Sequence, residues 1–273
     1  PEIIKTLTKV DLKIFLLGII VFCISDIFKT CSYHLVFKNS ISNIKFFDSY
    51  KITIISNFFN YITPFNSGGN PYQIYKLKKK YGIAYSKGIS ITMFNFLIYQ
   101  ISTFLILSIL IIINFIYKFL IIDSLLNKFI ILGYIVHTTI TLFVISIVYL
   151  FDGNSLNKFF KFMYKVKLLK EEKLNRINLY IFNFYSSLKD IRKQLLLLLK
   201  CIFFNFLVFI TLFFIPIIVF KSLGYSGNIN FLSSFIASAH IILIASFIPI
   251  PGGVIGVEYG FISFFEIIIK GTF

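Results

Sequence analysis

Tryptophan is absent from the chain, arginine occurs only at Arg176 and Arg192, and 11 acidic residues stand against 27 basic ones. Only 14% of the residues are charged, too few to coat a water-soluble protein of 273 residues. That scarcity excludes an ordinary soluble enzyme. It also removes direct nucleic-acid binding as the reading of the +16 net charge. The three cysteines, Cys23, Cys31 and Cys201, have no CxxC spacing, so no disulfide framework or metal site is expected, and each reads as a buried, inert thiol. GxSxG, HExxH, P-loop and GxGxxG patterns are missing, and no cofactor is called for. Asp26, Glu258 and Glu266 lie in or near apolar segments, but their spacing does not make a general acid/base pair. The stretch "SSFIASAH", Ser233 to His240, has no orienting acid and reads as polarity for helix packing.

What is present is hydrophobic: 58% of residues are apolar and the mean hydropathy is +0.87. A bilayer core of roughly 30 Å needs about 20 apolar residues to cross as a helix. Ile89 to Ile113, Phe129 to Phe151 and Leu195 to Phe220 qualify outright. Leu12 to Phe28 is short and carries Asp26, and Phe231 to Ile250 contains four serines and His240. Asp48 to Phe65 is either a tilted span or a re-entrant half-helix. The fold class is all-α, a polytopic transmembrane helical bundle forming one membrane domain over residues 1–273.

Lysine and arginine collect on the cytoplasmic side of membrane proteins. Asn66 to Gly88 carries five lysines and no acid, and Asp152 to Gln194 carries ten basic residues against four acids. Both segments are expected to be cytoplasmic, and the two strong spans between them satisfy the required even number of crossings. Residues 152–194 alternate lysines with Phe159, Phe160, Met163, Tyr164 and Val166, which suits an amphipathic helix on the inner leaflet.

Two segments break the apolar pattern with Pro and a Gly-Gly pair: "ITPFNSGGNPYQIYKLKKK", Ile62 to Lys80, and "FIPIPGGVIGVEYG", Phe247 to Gly260. A broken helix in lipid leaves backbone groups without partners unless protein or a watered cavity satisfies them. Paired breaks of this kind aim half-helix ends at a ligand near the midplane. The expected anion site has Gly68, Gly69, Gly252 and Gly253 offering backbone N–H groups, which suit a phosphate. Thr63, Pro64, Pro251 and Gly256 shape the two breaks, while Asn66, Asn70 and Gln73 add polar groups and Lys76 and Lys78 add positive charge. Glu258 suits either a ligand contact or the start of the resumed helix. Asp26, His240 and Glu258 together form the alternative of a proton relay in a small-solute transporter.

The motifs "TPFNSGGNPYQIYKLKKKYGIAYSKG" and "IPIPGGVIGVEYGFISFF" resemble the two signatures of the lysylphosphatidylglycerol synthetase/flippase membrane domain family. The resemblance rests on Thr63, Pro64, Gly68 and Gly69 in the first and on Pro249, Pro251, Gly252, Gly253, Gly256 and Glu258 in the second, and it covers nearly the whole chain. Many members carry an arginine shortly after the first Gly-Gly, where this chain has Gln73, with Lys76 or Lys78 one turn on. A first span and later C-terminal spans of the family are expected beyond the ends of this sequence. The resemblance implies a bacterial cell-membrane protein that moves phosphatidylglycerol or its lysyl derivative between leaflets and so contributes to resistance to cationic antimicrobial peptides. In some members a soluble C-terminal lysyltransferase domain makes the lysyl lipid, so the membrane portion of a phosphatidylglycerol lysyltransferase is the second reading. No catalysis is expected of this chain alone, and its self-association is left open.

Overall fold

The computed structural model describes residues 10–64, 67–151, 153–166, 170–246 and 254–270. Among these residues there are ten helices and no strand. Helix α1 (Leu12–Ser40) starts at Asp11, whose carboxylate accepts from the backbone N–H groups of Lys13 and Ile14 at 2.9 and 3.3 Å. Its 29 residues reach about 43 Å, well past the expected end at Phe28. The polar residues that close the apolar run do not end the helix, because neighbouring helices take them up. Among the described residues four helices are long and apolar enough to cross a membrane: α1, α4 (Tyr85–Tyr117), α5 (Ser124–Ile145, continued by a π-helical turn over Ser146–Leu150) and α8 (Leu195–Ser222). The protein is therefore a multi-pass α-helical membrane protein.

Helices α1 and α8 lie antiparallel along their whole lengths. At one end the Asp11 backbone N–H donates to the Ser222 carbonyl (2.8 Å). Towards the other, Asn205 Nδ2 donates to Ser32 Oγ (2.9 Å) in a buried contact. After each of these spans comes a pair of helices too short to cross. Helices α2 (Phe46–Tyr61) and α3 (Gly69–Tyr81) follow α1, and α9 (Phe231–Ser246) and α10 (Val254–Lys270) follow α8. Sixteen residues of helix give only about 24 Å.

Helix α2 runs back along α1, with His34 Nδ1 and Ser49 Oγ 2.9 Å apart near the entry and Asn57 beside Asp26 further in. Helix α3 then returns to the same end, where Lys80 and Tyr81 close on Asp48 at the start of α2. Of the two readings of Asp48 to Phe65, its described part fits the half-helix: α2 is too short to span and forms the first arm of a helical hairpin. At the opposite end of the bundle, α10 packs antiparallel on α9, with Gly260 against Ile241 and the His240 ring 5.4 Å from that of Phe264. The residues joining α9 to α10, and with them Pro249, Pro251, Gly252 and Gly253, lie outside the described residues.

The buried apolar side chains form two cores, one around each helix pair. One joins Val36, Ile52, Leu77, Phe94 and Cys201 at the lysine-rich end. The other joins Leu107, Ile130, Phe213, Ile236, Leu243 and Phe264 at the opposite end. Cys201 is buried as expected, whereas Cys23 is exposed on the outer face of α1. Helix α6 (Asn154–Lys165) and α7 (Glu171–Arg192) fill the basic segment. Helix α7 docks on the bundle: Ser90 Oγ on α4 donates to the Phe184 carbonyl (2.9 Å), and Arg192 donates to the π-turn carbonyls of Val148 and Tyr149 at 2.8 and 3.3 Å.

Candidate functional site

At the first break both glycine N–H groups are taken up by side chains of the chain itself. The Thr63 hydroxyl donates to the Phe59 carbonyl (2.7 Å) and accepts from the Gly68 N–H (2.9 Å), while Asn60 Oδ1 accepts from the Gly69 N–H (2.7 Å). Pro71, in the first turn of α3, has no N–H to offer. The expectation that Gly68 and Gly69 hold free donors towards a phosphate therefore fails, because both are consumed within the chain. The glycines serve another purpose. A Cβ on Gly69 would lie 2.6 Å from the Ser56 carbonyl oxygen and one on Gly68 would lie 2.8 Å from that of Phe59, so only glycine lets α3 start so close to α2.

The charged centre of this region lies beside the turn, on α1. Asp26 is at the midpoint of α1. Asn57 of α2 is buried and reaches across with both ends of its amide: Nδ2 donates to Asp26 Oδ1 (2.8 Å), and Oδ1 accepts from Lys29 Nζ (2.6 Å). The Lys29 ammonium also lies 5.9 Å from the centre of the Tyr33 ring. The amide oxygen can only accept and its nitrogen can only donate, so the ammonium and the carboxylate together set which way Asn57 points. The result is a cation and an anion held one helical turn apart near the middle of α1 by one neutral bridge. Each alone would be expensive in the membrane.

Other buried polar groups lie on the neighbouring helices. Gln73 of α3 is 1% exposed and faces the Tyr33 hydroxyl, yet its Oε1 has no partner. On α4, Asn95 is buried with neither its oxygen nor its nitrogen partnered. Tyr61 lies within electrostatic reach of Asp26 and Tyr99. Unpaired buried amides cost about 1–3 kcal/mol each, and such groups mark places where water or a ligand completes the set.

At the mouth of the hairpin the lysines sit against aromatic rings. Lys78 Nζ lies 3.7 Å from the Tyr85 ring centre and Lys79 Nζ 5.6 Å from that of Tyr75. Lys80 pairs with Asp48, which also accepts from the Tyr81 hydroxyl at 2.7 Å. The Lys80 ammonium, followed by the Tyr81 hydroxyl, holds the Asp48 carboxyl below the usual carboxylate range. Lys76 is partly buried and Asn70 sits in the first turn of α3.

The remaining expected residues do not join this cluster. Asn66 lies outside the described residues. Gly256 is buried in α10, but Glu258, two residues on, is exposed. His240 is buried at the opposite end, where its Nδ1 bonds the Ile236 carbonyl of its own helix (2.7 Å). Among the described residues no hydrogen bond links Asp26, His240 and Glu258 into a relay. Lys29 and Asn57 were missed because neither belongs to a motif. Lys29 did carry a legible signal, as a lysine one turn after Asp26 within the reach of a single helix.

Neither the curated proteins nor the solved structures give a significant match to this chain. A family model does: residues 1–272 match the lysylphosphatidylglycerol synthase TM region. The match spans the whole chain up to its last residue, and the protein belongs to that family.

Proposed function

We propose that this protein binds a phospholipid headgroup at the tip of the first hairpin and moves the lipid between leaflets. The lipid is phosphatidylglycerol, its lysyl derivative or a related anionic or aminoacyl lipid. The observation that carries this reading is the Asp26–Asn57–Lys29 bridge. Such a bridge holds its two charges in a neutral, closed state that a dipolar headgroup can replace, with phosphate going to the Lys29 ammonium and a lipid ammonium to the Asp26 carboxylate. Gln73 supplies a further donor and acceptor beside Tyr33, and the exposed lysines of α3 gather anionic lipid at the mouth, each worth about 1 kcal/mol near a charged surface. The lipid ammonium is assigned to Asp26 rather than to Glu258, since Asp26 sits at the midpoint of α1 beside Lys29 and Glu258 is exposed.

In this reading the lysine-rich ends of the helices face the cytoplasm of a bacterial cell, the chain forms a single membrane domain, and its action lowers the negative charge of the outer leaflet. That would contribute to resistance to cationic antimicrobial peptides. The family description favours one further possibility, that the chain serves as the membrane region of a lysyl-lipid synthase whose catalysis resides in a separate or C-terminal lysyltransferase domain. Mass spectrometry of lipid co-purified with the protein tests the binding step. Enrichment of phosphatidylglycerol-type lipid over its share of the membrane, lost on Lys29→Met, is expected; a lipid profile equal to the bulk membrane would contradict it.

A further inference from the structure

The basic segment between α5 and α8 divides into two helices with different surroundings. Helix α7 turns Leu174, Leu188 and Ile191 into the protein, where they are buried. Helix α6 is less covered: Phe162 is 63% and Val166 50% exposed. Both ends of the pair are tied closely to spans. Only Phe151 to Gly153 separate the π-helical turn of α5 from α6, and only Lys193 and Gln194 separate α7 from α8. At about 3.5 Å per residue, the first connection keeps the start of α6 within about 14 Å of the end of a span. Gly153 turns the chain there with φ 87°, and a Cβ on it would lie 2.8 Å from the Tyr185 ring of α7, so the entry to α6 is held against α7.

The exposed surface of α6 is ordered in stripes. Lys158, Lys161 and Lys165 recur at i, i+3 and i+7 and form one of them, and all three are exposed. Phe162 and Val166, at i and i+4, form the next. Asn157, Phe160 and Met163, on the remaining side, are partly buried and mark the face turned to the protein. No ion pair among the described residues involves the three lysines, and α6 contains no acidic residue.

Unpaired lysines alone fit any polyanion. An aromatic and a branched side chain beside them need an apolar phase as well. An interfacial helix buries such a stripe at the boundary between headgroups and acyl chains while its lysines stay among the phosphates. The short tether puts the leaflet at the lysine-rich end within reach of α6. We infer that α6 is a docking surface for anionic phospholipid, with Phe162 and Val166 inserted among the acyl chains and Lys158, Lys161 and Lys165 taking the phosphates. The amphipathic pattern that the sequence spreads over residues 152–194 is thereby divided: α6 holds lipid, and α7 holds α6 to the bundle. This surface is separate from the hairpin tip, and its occupancy requires no movement of lipid between leaflets.

The chain contains no tryptophan, so Phe162→Trp gives the full protein a single indole at this surface. In proteoliposomes of phosphatidylcholine and phosphatidylglycerol, one lipid at a time is supplied with brominated acyl chains, which quench an indole they touch. Both lipids should quench, with brominated phosphatidylglycerol about fivefold more effective at equal share, the factor that one lysine near an anionic surface confers. Adding Lys158→Gln, Lys161→Gln and Lys165→Gln together should bring that ratio close to one. Lys29→Met should leave it unchanged, which separates this surface from the hairpin site. Should the glutamine variant fold poorly, the comparison of the two brominated lipids on the lysine-bearing protein still decides. Three results would overturn the inference: no quenching by either lipid, as when water or a soluble partner covers α6; equal quenching by the two; or a preference that survives loss of the three lysines. Because the readout is lipid contact at α6, it is unaffected by the outcome of any transfer assay.

Discussion

Asn57 Oδ1 accepts from Lys29 Nζ at 2.6 Å while the same amide donates to Asp26, so a residue of the helical hairpin holds together two opposite charges on the neighbouring span. Removing one member leaves the other charge uncompensated near the middle of α1, whereas removing both charges leaves a merely polar amide. Lys29→Met alone should lower stability by about 3 kcal/mol, and the double replacement Asp26→Asn with Lys29→Met by clearly less than the sum of the single changes. Thermal unfolding in detergent of the four proteins in this cycle measures it. Additive losses would mean the two charges are not coupled.

The hairpin depends on close backbone approach at its turn. Gly69→Ala places a methyl group against the Ser56 carbonyl, and the backbone on both sides leaves little room to yield. A loss of about 1–3 kcal/mol is expected, with α3 detached from α2. Ser67→Ala, next to it but exposed, should change stability by less than about 0.5 kcal/mol. Protease sensitivity of the hairpin and the melting temperature both report the difference.

Helices α5 and α9 meet in the same way at the other end of the molecule. A Cβ on Gly133 would lie 2.5 Å from the Leu243 carbonyl oxygen. Gly133→Ala should therefore separate these helices and lower the melting temperature, while Leu132→Ala, on the exposed face, should not. A melting temperature unchanged by Gly133→Ala would show that the helices are not so closely packed.

The base of the hairpin should respond to acid. Lys80 and Tyr81 hold the Asp48 carboxyl below its ordinary value, so the stability it adds is fully present above the unfolded-state value of about 4 and is lost as pH falls through the lowered folded value. The stability difference between the natural protein and Asp48→Asn should be constant from neutral pH to about pH 5 and shrink below about pH 4. Melting curves across that range check it. A difference that persists undiminished to about pH 2 would remove the ion pair from the account.

The four long spans and the first break were legible because length and hydropathy are local properties. The span α4, expected from Ile89 to Ile113, extends only a few residues further at each end. The end of α1 was not legible: Lys29 and Ser32 read as the end of a span until Asn57 and Asn205 are seen opposite them. The glycine pair at Gly68 and Gly69 was correctly marked as a place where the backbone needs room, but composition cannot say whether a ligand or a neighbouring helix fills that room. Here it is Ser56 and Asn60 of α2. Glu258 attracted attention as a carboxylate in an apolar run, yet it is exposed, since helical phase places it on the outer face of α10. Pairing between helices decides which polar groups meet, and that register is a property of the whole chain.

The most direct test of the account is lipid transfer in proteoliposomes loaded on one leaflet with lysyl-phosphatidylglycerol, with outer-leaflet amines read over time by an impermeant amine reagent. The account predicts protein-dependent transfer that falls at least about tenfold in Lys29→Met and in Asp26→Asn at equal reconstitution, with Glu258→Gln close to the natural protein. Transfer that survives both changes at Asp26 and Lys29, or no transfer by the natural protein in sealed vesicles, would contradict it.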